Sequence, residues 1–486
     1  MTTEPAEQTR RHPEHLARIG LATVIIAFVV ISLPLVARGA LLQDDYVYCM
    51  QSQALGLGDY LEVEIAENGA TRPTRLLEIS TIASLCSRVP YQFVILIPLA
   101  LTIAVGFQLR GLLGDLGVTE PWPTLGGALW FLQPLGSEAA LWPAAMHIPL
   151  GLLLALLSLR LFRRDRLAWG ALLALGACLS VEQVIFALPL AVWAVTRSNT
   201  RRRATAAALA ITIGVVAAYA SWPGVNARTA VAFTERIRNV FVDPEFYVRF
   251  PATGLGLRSI PLAVAWALPL SLVVLAAGLL AGRAFGHRVL PRSRAPSTVG
   301  SNVWMMLGFA ALLGALINIP LAATLPHEDS PRAFVPSWLA IAGIAAVLGA
   351  RVRWRRPSLV GATAGVLAAG VFLSLAFSVS VRVRSAELAD GALTWLAEEL
   401  PDGGVVVLCD VPRTAVDPAP IGAFAIHDFL WTGAAVNAAR YYTSPDADFE
   451  FHLGGAYLDS ECPEVANADV VLSFDEFLDA GRGSEP

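Results

Sequence analysis

The sequence predicts an α-helical polytopic membrane protein of about eleven transmembrane helices, with a small α/β domain at its C-terminus. Three observations carry that expectation. Hydrophobic residues make up 55% of the 486-residue chain and charged residues only 15%, against roughly 25% charged in ordinary soluble domains. The apolar residues lie in long runs, and the arginines collect in alternate loops between them. A mean hydropathy of +0.59 leaves too little polar material to clothe a soluble core of this size, and burial in a bilayer resolves the conflict.

Apolar runs long enough to cross roughly 30 Å of hydrocarbon as helices occur at 18–40, 89–113, 122–141, 146–162, 204–222, 259–282, 302–325, 333–350 and 358–380. The stretch 167–197 is apolar apart from Ser180-Val181-Glu182-Gln183, and reads as two short spans meeting at Glu182. The first run follows Arg10, Arg11 and Arg18, the charge layout of a signal peptide. Its apolar core of about 20 residues and the lack of an A-x-A site favour a retained span.

An odd number of spans puts the termini on opposite sides. One alternating set of loops holds Arg10, Arg11 and Arg18, then Arg163, Arg164 and Arg166, then Arg197, Arg201, Arg202 and Arg203. It continues with Arg283, Arg288, Arg292 and Arg294, and ends with Arg351, Arg353, Arg355 and Arg356. Short arginine-rich loops stay in the cytoplasm. The expected location is therefore the cell membrane, multi-pass, with a cytoplasmic N-terminus and an extracytoplasmic C-terminal domain.

The chain divides into a transmembrane part, 1–381, and a soluble part, 382–486. In the latter, Ala386–Leu400 has helical periodicity, Pro401-Asp402-Gly403-Gly404 is a turn, and Val405–Leu408 and Ala468–Ser473 read as strands. Of five cysteines, Cys409 and Cys462 either pair in an oxidising compartment or stay free thiols. The same choice is open for Cys49 and Cys86, while Cys178 lies within a span. No CxxC pair or metal-ligand spacing occurs, which argues against a zinc or iron–sulfur site. A net charge of −4 and no basic stretch interleaved with aromatics argue against nucleic acid as a partner.

Residues with chemical potential gather on the outer side. Asp44 and Asp45 follow the first span; mutual repulsion and partial burial raise one carboxyl pKa and make a candidate base. The plainer alternative is a hydrated helix cap. Arg72 lies in Thr71-Arg72-Pro73-Thr74-Arg75, Glu138 in Gly136-Ser137-Glu138-Ala139-Ala140-Leu141-Trp142, and His147 just beyond. Glu182 interrupts an apolar run, where a carboxylate is costly and signals a polar cavity. His327 and Arg332 bracket the turn His327-Glu328-Asp329-Ser330-Pro331-Arg332. Guanidinium forks grip phosphate oxygens in pairs, although Arg332 could equally be an interfacial, snorkelling arginine.

This combination resembles the GT-C superfamily of membrane glycosyltransferases, and within it the protein O-mannosyltransferase-like enzymes that use polyprenyl-phosphate sugars. The likeness covers 18–350 in order of elements. It rests on the acidic pair Asp44-Asp45 after the first span, Arg72-Pro73, the Glu138-Ala139-Ala140-Leu141-Trp142 turn and Arg332-Ala333-Phe334-Val335-Pro336. Where relatives often have Lys-Glu, this chain has Val181-Glu182. The resemblance implies transfer of a sugar from a polyprenyl-phosphate donor, by inverting displacement, to a glycan or protein acceptor at the outer face of the membrane. Asp44 or Asp45 would be the catalytic base, and Arg72, Glu138, His147, Glu182, His327 and Arg332 would bind substrate. No cofactor is implied, although some relatives use a divalent metal with carboxylates. The rival classes are a transporter or flippase of lipid-linked glycans, which calls for inverted repeats that the chain does not show, and a non-catalytic envelope-assembly scaffold.

The orientation is directly testable. In intact cells a His452→Cys variant is expected to react with a membrane-impermeant thiol reagent, and protection of that position would refute the assignment.

Overall fold

The computed structural model describes residues 4–39, 41, 44–66, 73–86, 88–132, 140–221, 264–289, 335–351, 356–411, 432–455 and 461–482. The expected span at 302–325 and the loops at 223–258 and 326–332 lie outside them. The structure is mostly helical, at 78%, and the described residues hold one small parallel sheet.

The helices are α1 (Glu4–Arg38), α2 (Asp44–Leu55), α3 (Leu57–Ala66), α4 (Pro73–Leu85), α5 (Tyr91–Asp115), α6 (Trp122–Phe131) and α7 (His147–Arg163). There follow α8 (Leu167–Cys178), α9 (Glu182–Val195), α10 (Arg201–Ser221), α11 (Val264–Val289), α12 (Val335–Arg351) and α13 (Pro357–Glu399). Among the described residues two helices, Glu14–Arg38 and Tyr91–Asp115, are long and apolar enough to cross a membrane. Shorter apolar helices cover Leu167–Cys178, Ser271–Gly286, Trp338–Ala350 and Pro357–Leu373. At 1.5 Å per residue the 12-residue α8 is about 18 Å long, short of the roughly 30 Å of a bilayer core. The stretch 167–197 does form two short helices, broken at Ser180-Val181 with Glu182 opening the second.

Several internal polar groups find backbone partners within the bundle, as an apolar setting favours. The Trp130 indole donates to the Thr102 carbonyl at 2.8 Å and Trp338 to that of Leu129 at 2.8 Å, which ties α5, α6 and α12 together. Helical hydroxyls fold back on the preceding turn, Ser32 onto the Phe28 carbonyl and Thr196 onto that of Val192. One end of the bundle is ionic. Asp115 closes α5 against Arg160 at 2.7 Å and Arg164 at 3.2 Å, and Arg163 reaches the Val195 carbonyl at 3.0 Å. The clusters around Arg163 and Arg197 therefore share an end, with Asp165 3.8 Å from Arg197.

The tightest helix pair is α11 with α13, running antiparallel through Gly278, Gly282 and Gly286 on one side and Gly361 and Gly365 on the other. A Cβ at any of the five would overlap the partner's backbone. Such small-xxx-small spacing lets backbones approach where no hydrophobic drive exists between helices.

The 43-residue α13 is about 65 Å long. It passes unbroken through the 381/382 division and ends in the C-terminal domain. After it come β1 (Gly403–Cys409), α14 (Thr432–Tyr442), β2 (Asp448–Leu453), β3 (Val470–Ser473) and α15 (Phe474–Arg482). The strands form a parallel sheet in the order β2-β1-β3, with Val406 opposite Phe451 and Val470. Gly403, at φ +100, begins β1 where a side chain would strike the Asp448 backbone. Strand β2 was not expected, although Asp448-Phe449-Glu450-Phe451-His452-Leu453 alternates polar and apolar along its length.

Helix α15 starts with a capping box: the Ser473 amide donates to Glu476 at 2.8 Å, and the Glu476 amide to the Ser473 hydroxyl at 3.3 Å. Those bonds from the Ser473 backbone and hydroxyl hold the Glu476 carboxyl below its usual range. The cap is thus present above the ordinary glutamate pKa and lost as pH falls through the lowered one. Disulfides join Cys409 to Cys462, with Cα atoms 4.9 Å apart, and Cys49 to Cys86, 6.0 Å apart, while Cys178 is free and buried.

Gly282→Leu is expected to lower the thermal stability of the detergent-purified protein by about 1–3 kcal/mol through overpacking. Gly214→Leu, at a position with no atom within 4 Å, should stay within about 0.5 kcal/mol of the parent.

Candidate functional site

The bundle end opposite the Asp115 cluster gathers the sequence-predicted carboxylate and several residues that sequence reasoning did not single out. Helix α1 stops at Arg38, and after Gly39, at φ +66, the chain re-enters a helix at Asp44. Acidic residues suit that position, because the first turn has unpaired N–H groups and the positive end of the helix dipole. Asp45 is fully buried. Its Oδ1 accepts the Ala144 amide at 3.2 Å, and the Tyr91 side chain at the start of α5 lies against the same carboxylate. The hydrated-cap alternative therefore does not describe Asp45.

Ala144 belongs to a 3-10 turn, Pro143–Ala145, that leads directly into α7. A second carboxylate holds the same stretch three residues on. Glu78, on α4, accepts the His147 amide at 3.0 Å, and its Oε2 lies 2.7 Å from His147 Nδ1. The two side chains are 1% and 10% exposed, so both are withdrawn from water. The Cys49–Cys86 bond links α2 to the end of α4. The Arg75 guanidinium sits 6.0 Å over the Tyr48 ring, and Tyr60 donates to Glu64 at 3.0 Å.

Beside Asp45, the buried Tyr46 turns towards the C-terminal domain. Its ring meets that of Tyr441 edge-on at 5.5 Å, and its hydroxyl bonds that of Tyr442. Tyr442 in turn donates to Asp390 on α13, and Arg38 donates to the same carboxylate. Glu387 is 3.9 Å from Arg38. Burial, then the neighbouring Tyr442 and Asp390, pushes the Tyr46 hydroxyl well above its ordinary pKa. Burial followed by Asp390 does the same to Tyr442, so both remain hydrogen-bond donors across the physiological range.

Of the expected site residues, the structure brings Asp45 and His147 together on the 144–147 segment. Asp44 opens α2 and Glu182 opens α9, but neither side chain is among the described ones. Arg72, Glu138, His327 and Arg332 lie outside the described residues. Among the described residues no group of three or more His, Cys, Asp or Glu side chains is placed to hold a metal ion.

Glu78, Tyr91, Tyr46, Tyr442, Asp390 and Arg38 were missed. For Arg38 a signal existed: it is an arginine at the far end of the first long apolar helix, on the side expected to be poor in arginine, and so calls for a partner. Glu78 sits on a helical face shared with Thr74, Arg75 and Thr81, and nothing local names its partner 69 residues on. The resulting arrangement fixes the Asp45 carboxylate in orientation and removes it from bulk water, both of which suit a group that accepts a proton.

Glu78→Ala should destabilise the protein by about 1–3 kcal/mol, because it strands the buried His147 amide. Glu78→Gln, which retains an acceptor oxygen, should lose less. Thermal unfolding of the two variants in detergent checks the order.

Comparison of the chain with known protein families, with curated proteins and with solved structures finds no match in any of the three.

Proposed function

We propose that this chain is a multi-pass cell-membrane glycosyltransferase of the GT-C type, with about eleven spans, a cytoplasmic N-terminus and an extracytoplasmic C-terminal domain. It transfers a sugar from a polyprenyl-phosphate donor to a glycan or protein acceptor at the outer face. The observation that carries this reading is the buried, amide-bonded Asp45 directly after the first long apolar helix.

The membrane part of the reading is supported by large apolar side chains left exposed along the helices, among them Ile26, Val30, Phe93, Trp169, Ile213, Val273 and Leu367. Soluble surfaces do not carry so continuous an apolar cover. The Gly-lined contact of α11 and α13 is of the kind membrane helices use. The orientation is supported by the disulfides: four cysteines assigned to the outer side are paired and the one within an apolar helix is not.

In the proposed reaction Asp45 takes the proton from an acceptor hydroxyl as its oxygen attacks the anomeric carbon. The bond from that carbon to the phosphate oxygen breaks, and its electron pair leaves with the lipid phosphate. Inversion follows from a single displacement. Arg72 and Arg332 are assigned to the phosphate, since a guanidinium fork neutralises the charge that develops there. Glu138, Glu182 and His327 are assigned to substrate. His147 is assigned a supporting place, because Glu78 already engages both its amide and its ring.

A second reading, a non-catalytic envelope-assembly scaffold, draws on the same geometry. Asp45 and Glu78 both spend hydrogen bonds on seating the start of α7, which a scaffold would also need.

Asp45→Asn separates the two. Asparagine keeps the size and an oxygen for the Ala144 amide but removes the basicity. Transfer of labelled sugar from a polyprenyl-phosphate donor, assayed in membranes, should fall by roughly 10²–10⁴ with the protein still folded. Undiminished transfer in the variant would remove Asp45 from catalysis, and no transfer by the parent chain would leave the scaffold.

A further inference from the structure

Among the described residues, the C-terminal domain meets the proposed site at Tyr46. From the residue next to Asp45, a line of polar contacts runs Tyr46 to Tyr442 to Asp390 to Arg38. Tyr442 belongs to the C-terminal domain, and Asp390 lies on α13 just before that domain's first strand. Arg38 ends the first long helix, and Tyr46 lies in the first turn of the next one. The Asp390 carboxylate thus receives two donors, neither from its own helix, and ties together three segments otherwise remote in the chain. Tyr441 adds an edge-on ring contact to Tyr46 at 5.5 Å and to Tyr442 at 5.5 Å.

We propose that Asp390 is a positioning residue for glycosyl transfer: through Tyr442 and Tyr46 it sets the orientation of the helix carrying Asp45, so that the C-terminal domain is a working part of the site. This rests on the glycosyltransferase reading above. A domain that merely docked could do so anywhere along α13. Here the contact falls on the residue adjoining the proposed base and on the arginine that ends the span before it.

Two further features agree. Tyr46 is 1% exposed and Tyr48, two residues on, 2% exposed, so α2 has little room to rotate once Tyr46 is held. Its other described fixed points are the Cys49–Cys86 disulfide, the Ala144 amide on Asp45 and the Arg75 guanidinium over Tyr48, and the domain adds the contact at Tyr46.

The test uses the full-length protein in membranes or nanodiscs, as parent, Asp390→Asn, Asp390→Glu and Tyr442→Phe. Two quantities are read: amide hydrogen exchange across Asp44–Leu55, and the kinetics of transfer from a polyprenyl-phosphate sugar. In Asp390→Asn, exchange in Asp44–Leu55 should rise and kcat should fall about 10- to 100-fold through misplacement of the base, with the donor KM unchanged. Asp390→Glu should restore much of both. Tyr442→Phe, which removes one bond and keeps the ring, should show the same changes in smaller degree, and stands in if Asp390→Asn does not fold. Parental exchange in Asp44–Leu55 in the Asn and Phe variants overturns the positioning role whatever the activity. Raised exchange with parental kcat shows a merely structural contact and overturns it too. Exchange that responds as expected in a protein whose parent transfers no sugar overturns the glycosyltransferase reading, and with it the assignment of Asp390 to that reaction.

Discussion

Two carboxylates hold the segment from Ala144 to His147, and most of that end of the molecule is arranged around them. Asp45 reaches the segment from 99 residues away and Glu78 from 69. An amide at a helix start has no partner within its own helix, and in apolar surroundings leaving it unpaired is costly. Once α2 and α4 supply the acceptors, both are fixed against the start of α7, and the Cys49–Cys86 bond closes the triangle. Tyr91 is then brought against Asp45, with Tyr46 next to it in the chain.

The other end of the bundle obeys the same constraint with different material. There the helix ends of α5, α7 and α9 meet, and carbonyls as well as carboxylates need donors. Arg160 and Arg164 answer Asp115, and Arg163 takes the Val195 carbonyl. The apolar stretch between the two ends carries almost no such demand, because its hydroxyls and indoles bond to backbone carbonyls of the same or a neighbouring helix. Ion pairs at one rim and a buried carboxylate cluster at the other follow from where backbone bonds run out.

Much of this was legible in the residues. The broken apolar run at Ser180–Glu182 marked a real helix junction, and the strand at Val405–Leu408 lies within β1. The Asp44-Asp45 pair drew notice to the segment where Asp45 is buried against the Ala144 amide, since adjacent acids after an apolar run are unusual. That Asp45 would be buried was not readable, because its partner Ala144 lies 99 residues on. The Gly278-x3-Gly282-x3-Gly286 spacing was a readable signal for a close helix contact, and only its partner on α13 was hidden. The Tyr442–Asp390 pairing left no local trace: both residues are ordinary on the surface of a small domain, and only the fold brings Tyr46 to them.

Helix α13 joins two of these features on one rod. Its first half is locked by backbone contact to α11 through glycines, and its last third carries Asp390 and meets α15. No proline interrupts it after Pro357, at its first position. A straight helix with one end gripped behaves as a lever: a tilt of about 5° at the glycine contact displaces the far end, some 40 Å away, by about 3–4 Å. That is more than the length of a hydrogen bond. The closeness of the glycine packing is therefore a tolerance on the distant tyrosine contact, and a looser grip at Gly282 would be felt as misalignment at Tyr46 before any loss of fold.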